Sequence, residues 1–481
     1  MDFRPVLLIV GSLLATLAIA MCIPAIVDAV AGNPDWQVFA VSSGLTLFVG
    51  VSLTLTSSSG KVSMNVRQAF AMTTIAWVLL TIFASLPFMF SELQLSFTDA
   101  FFESMSGITT TGSTVIIGLD NAPPGILLWR GILQWLGGLG IIVMAIAVLP
   151  MMGVGGMQLF KVEAFETGEK LLPRAAQISA ALIIIYIGLT ALTTLALWLA
   201  GMNALESTVH AMTTISTGGF STSDASVGHF NSWVMDLIIT VGMIGGALPF
   251  LLYLHAIRGK PWLIWRDEQV RGFIGIVTAI SVLVTVLLTI NTGMDPVSAL
   301  RYASFNVISV ITGTGFASSD YGLWGSFAPP IFFFIMFIGG CAGSTSCGIK
   351  VFRFQVLYAS ARVQIRHLLQ PHGVFIPYYN NRPIPDEVTT SVLSFFFVFG
   401  ISFALLALGL GMLGLDFMTA ISSAATAISN VGPGLGPITG PSGNFQSLPD
   451  AAKWLLSAGM LLGRLELFTV LVLFSRDFWR G

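Results

Sequence analysis

One short pattern occurs four times in this chain, each time with an isoleucine followed four positions later by a glycine. The copies are Ile108-Thr-Thr-Thr-Gly112, Ile215-Ser-Thr-Gly-Gly219, Ile311-Thr-Gly-Thr-Gly315 and Ile428-Ser-Asn-Val-Gly432, spaced 107, 96 and 117 residues apart. A modest helical stretch precedes each copy and a long apolar stretch follows it. One such pattern carries no information, because glycine commonly mediates helix packing in membranes. Four copies in matching surroundings predict four similar units around a common axis. Glycine-centred backbone on that axis predicts a ring of carbonyl oxygens, the arrangement that replaces the water shell of a cation.

Composition sets the medium. The chain has 481 residues, 55% hydrophobic and 9% charged, against about 25% charged in soluble domains. Apolar runs recur from end to end, which predicts an all-α polytopic membrane protein. Ten transmembrane helices are expected, at roughly 5–31, 35–58, 66–91, 126–152, 174–200, 232–257, 269–291, 326–350, 389–413 and 452–475. The first two form a leading pair, within residues 1–62. The other eight make four pseudo-fourfold units of helix, short pore helix, filter segment and second helix, at 63–160, 161–262, 263–370 and 371–481. The N-terminal apolar run is too long for a signal peptide and is read as a retained span.

The short helices are expected at about 97–107, 204–214, 297–310 and 416–427. None reaches the roughly 20 residues a bilayer crossing needs. Each leads into a Gly/Thr-rich segment, and non-helical backbone at membrane depth is tolerated only inside protein or along a watery path. Basic residues set the orientation. Seventeen of the 21 Lys and Arg residues fall on one side, while Asp35, Glu92, Asp99, Glu103, Asp120, Glu206, Asp224, Asp295, Asp320, Asp416 and Asp450 fall on the filter side. The positive-inside rule then puts both termini in the cytoplasm and the filter loops outside. The acids raise the local cation concentration there, or simply keep the loops wet.

The chemistry of the segments points to a monovalent ion. They contain Gly, Thr and Ser but no carboxylate, whereas Ca²⁺ and Mg²⁺ sites favour carboxylates. Glycine permits the positive φ or close approach that turns a carbonyl to the axis, and the C-terminal ends of the short helices add negative potential there.

The segments Thr109-Thr-Thr-Gly-Ser113, Ser216-Thr-Gly-Gly-Phe220, Thr312-Gly-Thr-Gly-Phe316 and Ser429-Asn-Val-Gly-Pro433 resemble the filters of the TrkH/KtrB potassium-transporter superfamily. The resemblance covers essentially the whole chain, and the extra leading pair makes it more similar to the bacterial TrkH branch. It implies that Gly112, Gly219, Gly315 and Gly432 form a potassium filter. The K⁺-coordinating carbonyls would be those of Thr110, Thr111, Thr217, Gly218, Gly313, Thr314, Asn430 and Val431. In relatives, serine at the first filter glycine goes with sodium permeation; here all four are glycine, which implies potassium. The fourth copy, with Asn430, Val431 and Pro433, departs most from the pattern.

A second landmark follows each filter: Gly137-Gly138, Gly245-Gly246, Gly339-Gly340 and Gly463-Arg464. Arginine at mid-membrane costs at least about 2.5–3.5 kcal/mol, so Arg464 is expected to face the interior, near the axis below the filter. There it acts as an electrostatic barrier or as a structural tie. Glu466 is two residues away and does not share its helix face, so its partner can lie elsewhere. The stretch Gly339-Gly340-Cys-Ala-Gly343-Ser344-Thr345-Ser346-Cys-Gly348-Ile-Lys350 makes a poor helix. It predicts an unwound loop across the pore, hydrogen-bonded to Arg464. The resemblance implicates this loop and arginine in gating. Lys350 is a second gating charge or a snorkelling interface residue.

Other candidates carry less. His210, His229, His255, His367 and His372 share no metal-ligand spacing, and Cys22, Cys341 and Cys347 read as small packing residues. Gly153-Val-Gly-Gly156 lacks the rest of a phosphate loop. Asp236, within a span, caps or pairs locally, or serves proton coupling. No cluster of acids, bases or metal ligands suggests an enzyme, and no covalently bound cofactor is expected. The resemblance implies potassium uptake across the bacterial inner membrane, a homodimer with one pore per chain, and a ring of nucleotide-binding RCK (TrkA-like) subunits on the cytoplasmic face. It leaves open proton- or sodium-coupled symport, for which the spans offer Asp236 and Glu466.

Overall fold

The computed structural model describes residues 2–58, 65–147 and 171–480. The Gly153–Gly156 stretch, most of the loop 153–173, the end of the span 126–152, Lys61, Lys161, Lys170 and the Arg174 side chain lie outside the described positions. The described residues are helical almost throughout, and the one sheet among them is a two-residue hairpin pairing Tyr378–Tyr379 with Arg382–Pro383. Among the described residues seven helices are long and apolar enough to cross a bilayer, and two bent pairs would each do so together.

The leading pair, Arg4–Ala31 and Trp36–Ser57, packs along its length. Close approach depends on Gly11 and Gly50, where an added methyl would meet the partner helix backbone. The pair is tied down at the end where its two helices join. The buried Asp28 accepts the Gly125 N–H at 2.6 Å, and Asp35 accepts the Glu92 N–H at 3.2 Å. Four units follow. Their first helices are Val66–Ala84 (with Leu86–Phe90), Leu171–Leu199, Glu268–Thr292 and Asp386–Met412.

The short helices are Phe97–Ile108, Ala204–Ile215, Pro296–Ile311 and Phe417–Ser429, close to the expected limits. Each starts on a side chain that accepts a first-turn N–H: Ser96, Asn203, Asp295 and Asp416, and such caps satisfy otherwise orphaned donors. Each ends in the same way. The N–H of Thr111 bonds the carbonyl of Ser106 at 2.8 Å, as do Gly218 to Thr213 (2.8 Å), Thr314 to Ser309 (2.9 Å) and Val431 to Thr426 (3.1 Å). This six-to-one closure requires a left-handed residue just before it, and Thr110, Thr217, Gly313 and Asn430 have φ of 53°, 50°, 72° and 52°.

The second helices differ from expectation in two units. The first runs unbroken as Pro124–Ala147. The second, expected as one span over 232–257, is Trp233–Ala247 and Phe250–Ile257, bent by 96°. Pro249 explains the break, since it cannot donate to the helix ladder and holds Leu248 extended. In the third, helix Ala328–Ile335 gives way to irregular backbone that ends where Val351–Leu369 begins, which agrees with the expected unwinding. The fourth, expected straight over 452–475, is Asp450–Arg464 and Phe468–Phe474, bent by 108°. Its corner has positive φ at Glu466 (60°) and Leu467 (49°). These non-glycine residues hold a strained backbone, as is seen at sites where the surroundings over-determine it.

Candidate ion pathway

The four Ile-x-x-x-Gly segments form a closed ring. Gly112, Gly219, Gly315 and Gly432 all have positive φ (90°, 78°, 79° and 112°). A methyl group on Gly112 would strike the carbonyl oxygen of Gly218 in the next segment. One on Gly219 would strike that of Thr314, one on Gly315 that of Val431, and one on Gly432 that of Thr111, which returns to the start. Each glycine therefore backs onto the carbonyl that precedes the next glycine, four times around. Left-handed residues alternate along every segment, at the second and fourth positions after the isoleucine. The sequence pattern identified the fourth position, but not the helix-closing role of the second. Two of the second-position residues are threonine, a β-branched residue for which φ above zero is an outlier.

The ring is held from behind. Gln134 donates Nε2–H to the Gly218 carbonyl at 2.7 Å and accepts the Phe220 N–H at 3.0 Å. Ser113 donates to the Gly432 carbonyl at 2.7 Å, and Asn430 donates to Thr111 Oγ1 and to the Met460 carbonyl, both at 2.9 Å. Beside it opens a bowl of about 230 Å³ lined by all four ring glycines, Arg130 and Asp224. Among the described residues no group of three His, Cys, Asp or Glu side chains could hold a metal ion; the ring presents backbone oxygen.

Five residues before each isoleucine, a polar side chain braces the backbone that leaves the ring. Glu103 accepts from Thr114 Oγ1 (3.0 Å) and the Val115 N–H (2.9 Å); His210 Nε2 meets Ser221 Oγ at 3.0 Å. Asn306 donates to Ser318 Oγ at 2.9 Å, and Ser423 donates to Thr439 Oγ1 at 3.2 Å. Sequence reasoning missed this set because its chemistry differs in every unit; the constant offset from the isoleucine was the available signal. Glu103 is not a wet outer acid. It is fully buried and paired with Arg130 Nε at 2.8 Å, while Arg130 also donates to the Ser221 carbonyl at 2.7 Å and lies over the Phe220 ring. Removing one partner of a buried pair costs about 3–5 kcal/mol. Glu103→Ala is expected to lose stability on that scale, read as a clearly lowered thermal midpoint in detergent; an unchanged midpoint would contradict the brace.

Ion pairs also join the units. Asp236 on a second helix accepts from Arg301 on the next short helix at 2.7 Å, and Lys453 pairs with Asp99 at 2.5 Å. Asp236 is thus committed to a cation.

Beneath the ring, the second helices bring their glycines against the short-helix ends. A methyl on Gly137, Gly246 or Gly463 would meet the carbonyl of Ile108, Ile215 or Ile428, respectively. In the second unit the register is therefore one residue later than the sequence pairing with Gly245 suggested. The unwound stretch fills the space below. Thr345 Oγ1 donates to the Ile215 carbonyl at 2.9 Å and accepts from Thr217 Oγ1 at 3.3 Å. Ser346 donates to the Thr312 carbonyl at 2.7 Å and accepts the Gly340 N–H at 2.8 Å, and Cys347 Sγ lies 3.6 Å from Thr110 Oγ1. Ser344 turns back on the Cys341 carbonyl at 2.7 Å, and the Gly343 carbonyl accepts the Phe250 N–H at the break in the second unit at 2.9 Å. Gly343 and Gly348 supply positive φ at the loop's two turns (74° and 71°).

Arg464 completes this layer from the fourth unit. It is buried, donating Nη1–H to the Thr345 carbonyl at 3.2 Å and to Cys347 Sγ at 2.6 Å, and Nη2–H to the Gly137 carbonyl at 2.9 Å. Its partners are neutral, and among the described residues no carboxylate lies within ion-pair distance of it. Glu466 is turned to Arg353 instead, at 2.5 Å. Lys350 does not snorkel to an interface: its buried ammonium donates to the Ser346 carbonyl. Loop and arginine together touch all four units just below the ring.

Known proteins resemble this chain along its length. The family model for TrkH, described as a cation transport protein, matches residues 36–480. The Trk system potassium uptake protein TrkI of Halomonas elongata is 47% identical, over 99% of this chain and 97% of its own. The Trk system potassium uptake protein TrkH of Escherichia coli K12 is 38% identical, with both chains covered in full. The crystal structure of the potassium transporter TrkH from Vibrio parahaemolyticus superposes with a TM-score of 0.93 at 37% identity, covering 100% of both chains. These are transporters and not enzymes, and the chain belongs to the TrkH family of cation transport proteins.

Proposed function

We propose that this chain is a potassium-uptake pore of the bacterial inner membrane, with both termini cytoplasmic. The observation that carries the reading is the closed cycle in which each filter glycine backs onto the carbonyl of the next segment. That cycle supports a level of four coordinating carbonyls, those of Thr111, Gly218, Thr314 and Val431. The carbonyls of the preceding residues, Thr110, Thr217, Gly313 and Asn430, offer a second level. Potassium loses its water shell to these oxygens and moves inward with the membrane potential, worth about 2.3 kcal/mol per charge per 100 mV.

Passage below the ring is gated. The 339–348 loop occupies the exit, and the unpaired charge of Arg464 repels a cation leaving the filter. Conduction requires the loop and Arg464 to leave their hydrogen bonds. The proposal includes the four units as bounded above, a homodimer with one pore in each chain, and an RCK (TrkA-like) nucleotide-binding ring that supplies the work of opening.

The competing reading is obligatory proton- or sodium-coupled symport, which needs a carboxylate free to load and release its ion. Asp236 and Glu466 are each held by an arginine, which favours the pore. The test is ⁸⁶Rb⁺ uptake into proteoliposomes under an imposed potential. Uptake is expected without any proton or sodium gradient, and a strict gradient requirement would overturn the proposal. Asp236→Asn is expected to keep the same driving-force dependence, with uptake within about twofold of wild type; loss of proton or sodium coupling in that variant would restore the symporter.

A further inference from the structure

A second cavity, of about 350 Å³, lies away from the axis, between the leading helix Arg4–Ala31 and the helices Val66–Ala84, Pro124–Ala147 and Leu171–Leu199. Such a volume falls in the range of ligand-binding clefts. Its walls include Leu17, Trp77, Leu80, Leu136, Gly140 and Val143. Only two lining residues carry a hydroxyl, and both are satisfied within their own helices: Thr16 donates to the Ser12 carbonyl at 3.0 Å and Thr73 to the Ala69 carbonyl at 2.8 Å. A held water needs two to four polar partners, and beyond those two satisfied hydroxyls the lining side chains offer only the Trp77 indole N–H.

The medium outside it is hydrocarbon. All four surrounding helices are apolar spans. Leu13 on the rim is 39% exposed, and Ile184, beside the lining Ile183, is 69% exposed, so the cavity is continuous with the lipid-facing surface. It reaches inward to Ile108 and Gly137. Ile108 ends the first short helix, and the Gly137 carbonyl receives Arg464. An almost wholly apolar void open to the bilayer fills with whatever alkyl chain reaches it, because an unfilled wall forfeits its dispersion contacts.

We infer that this cavity is a binding site for one acyl chain of a bilayer phospholipid, seated against the backs of Ile108 and Gly137. The assignment does not depend on the transport reading. The test uses the full protein in proteoliposomes that contain a phospholipid with a mid-chain diazirine. After photolysis, adducts are mapped by peptide mass spectrometry. Adducts are expected on the peptides holding Met72 to Leu80 and Leu136 to Met144, besides those at the lipid-exposed Phe48 and Leu195. Gly140→Leu fills the cavity; the nearest atom to a methyl there is Trp77 Cζ2 at 3.9 Å. It is expected to cut cavity adducts at least fivefold and leave Phe48 and Leu195 labelling unchanged. Val143→Trp provides the same test should the first variant not assemble. Labelling at Phe48 and Leu195 with none in the wild-type cavity would overturn the site. So would cavity labelling that survives both variants.

Discussion

Serine at Gly112 is expected to reduce discrimination between rubidium and sodium at least tenfold while the protein still assembles. Two features of the position make it intolerant. Its φ of 90° lies where an L-residue is strained, at about 1–2 kcal/mol. Its Cα also backs onto the Gly218 carbonyl, so that any Cβ must push that oxygen aside. Gln134 holds the same oxygen from the other side at 2.7 Å, so displacement is transmitted to the brace rather than absorbed by loose backbone. The coordinating cage would be widened on one side, and a cage with one oxygen out of place no longer distinguishes ions by their dehydration. Sodium competition against ⁸⁶Rb⁺ uptake reads this directly; unchanged competition in Gly112→Ser would contradict the ring geometry as the origin of selectivity.

The other large effect is expected at Arg464. Alanine there removes three hydrogen bonds that tie the loop and the first unit together. It also removes a full charge with no carboxylate beside it. Two unit charges 4 Å apart repel by about 4 kcal/mol at an effective dielectric of 20, and each 1.4 kcal/mol is a factor of about ten. Arg464→Ala is therefore expected to raise rubidium uptake without a regulatory partner at least tenfold. Arg464→Lys keeps the charge but not the planar fork that bridges Thr345 and Gly137, and should fall between the two. Uptake that is unchanged or lower in Arg464→Ala would remove the arginine from the gate.

Much of this arrangement was legible in the sequence because it is repeated. The short helices end within two residues of the limits read from the Ile-x-x-x-Gly pattern. The unwound third-unit helix was readable from its glycines and hydroxyl residues, and the interior placement of Arg464 from the cost of a charge in hydrocarbon. Features without a periodic signature were not legible. The ion pairs Glu103–Arg130, Asp236–Arg301 and Arg353–Glu466 join residues 27, 65 and 113 positions apart, and nothing local announces them. The bend after Arg464 arises at Glu466 and Leu467, residue types that give no warning of positive φ. The bend at Leu248–Pro249 did carry a signal in its proline. Lys350 looked like an interface residue from sequence because its burial comes from the loop folding back over it.

Four of the described glycines resist replacement for two separate reasons. Gly112, Gly219, Gly315 and Gly432 combine positive φ with a backbone oxygen where a side chain would start. Gly118 and Gly293 share the positive φ but face open space. Substitution there meets only the backbone term.

The central claim is that the four segments coordinate potassium by backbone oxygen at one level of the ring. Anomalous diffraction from crystals in which thallium or rubidium replaces potassium tests it most directly. The account predicts a peak on the axis, equidistant from the carbonyl oxygens of Thr111, Gly218, Thr314 and Val431, that weakens in Gly112→Ser. An empty ring with ordered ions bound at side-chain carboxylates elsewhere would contradict it.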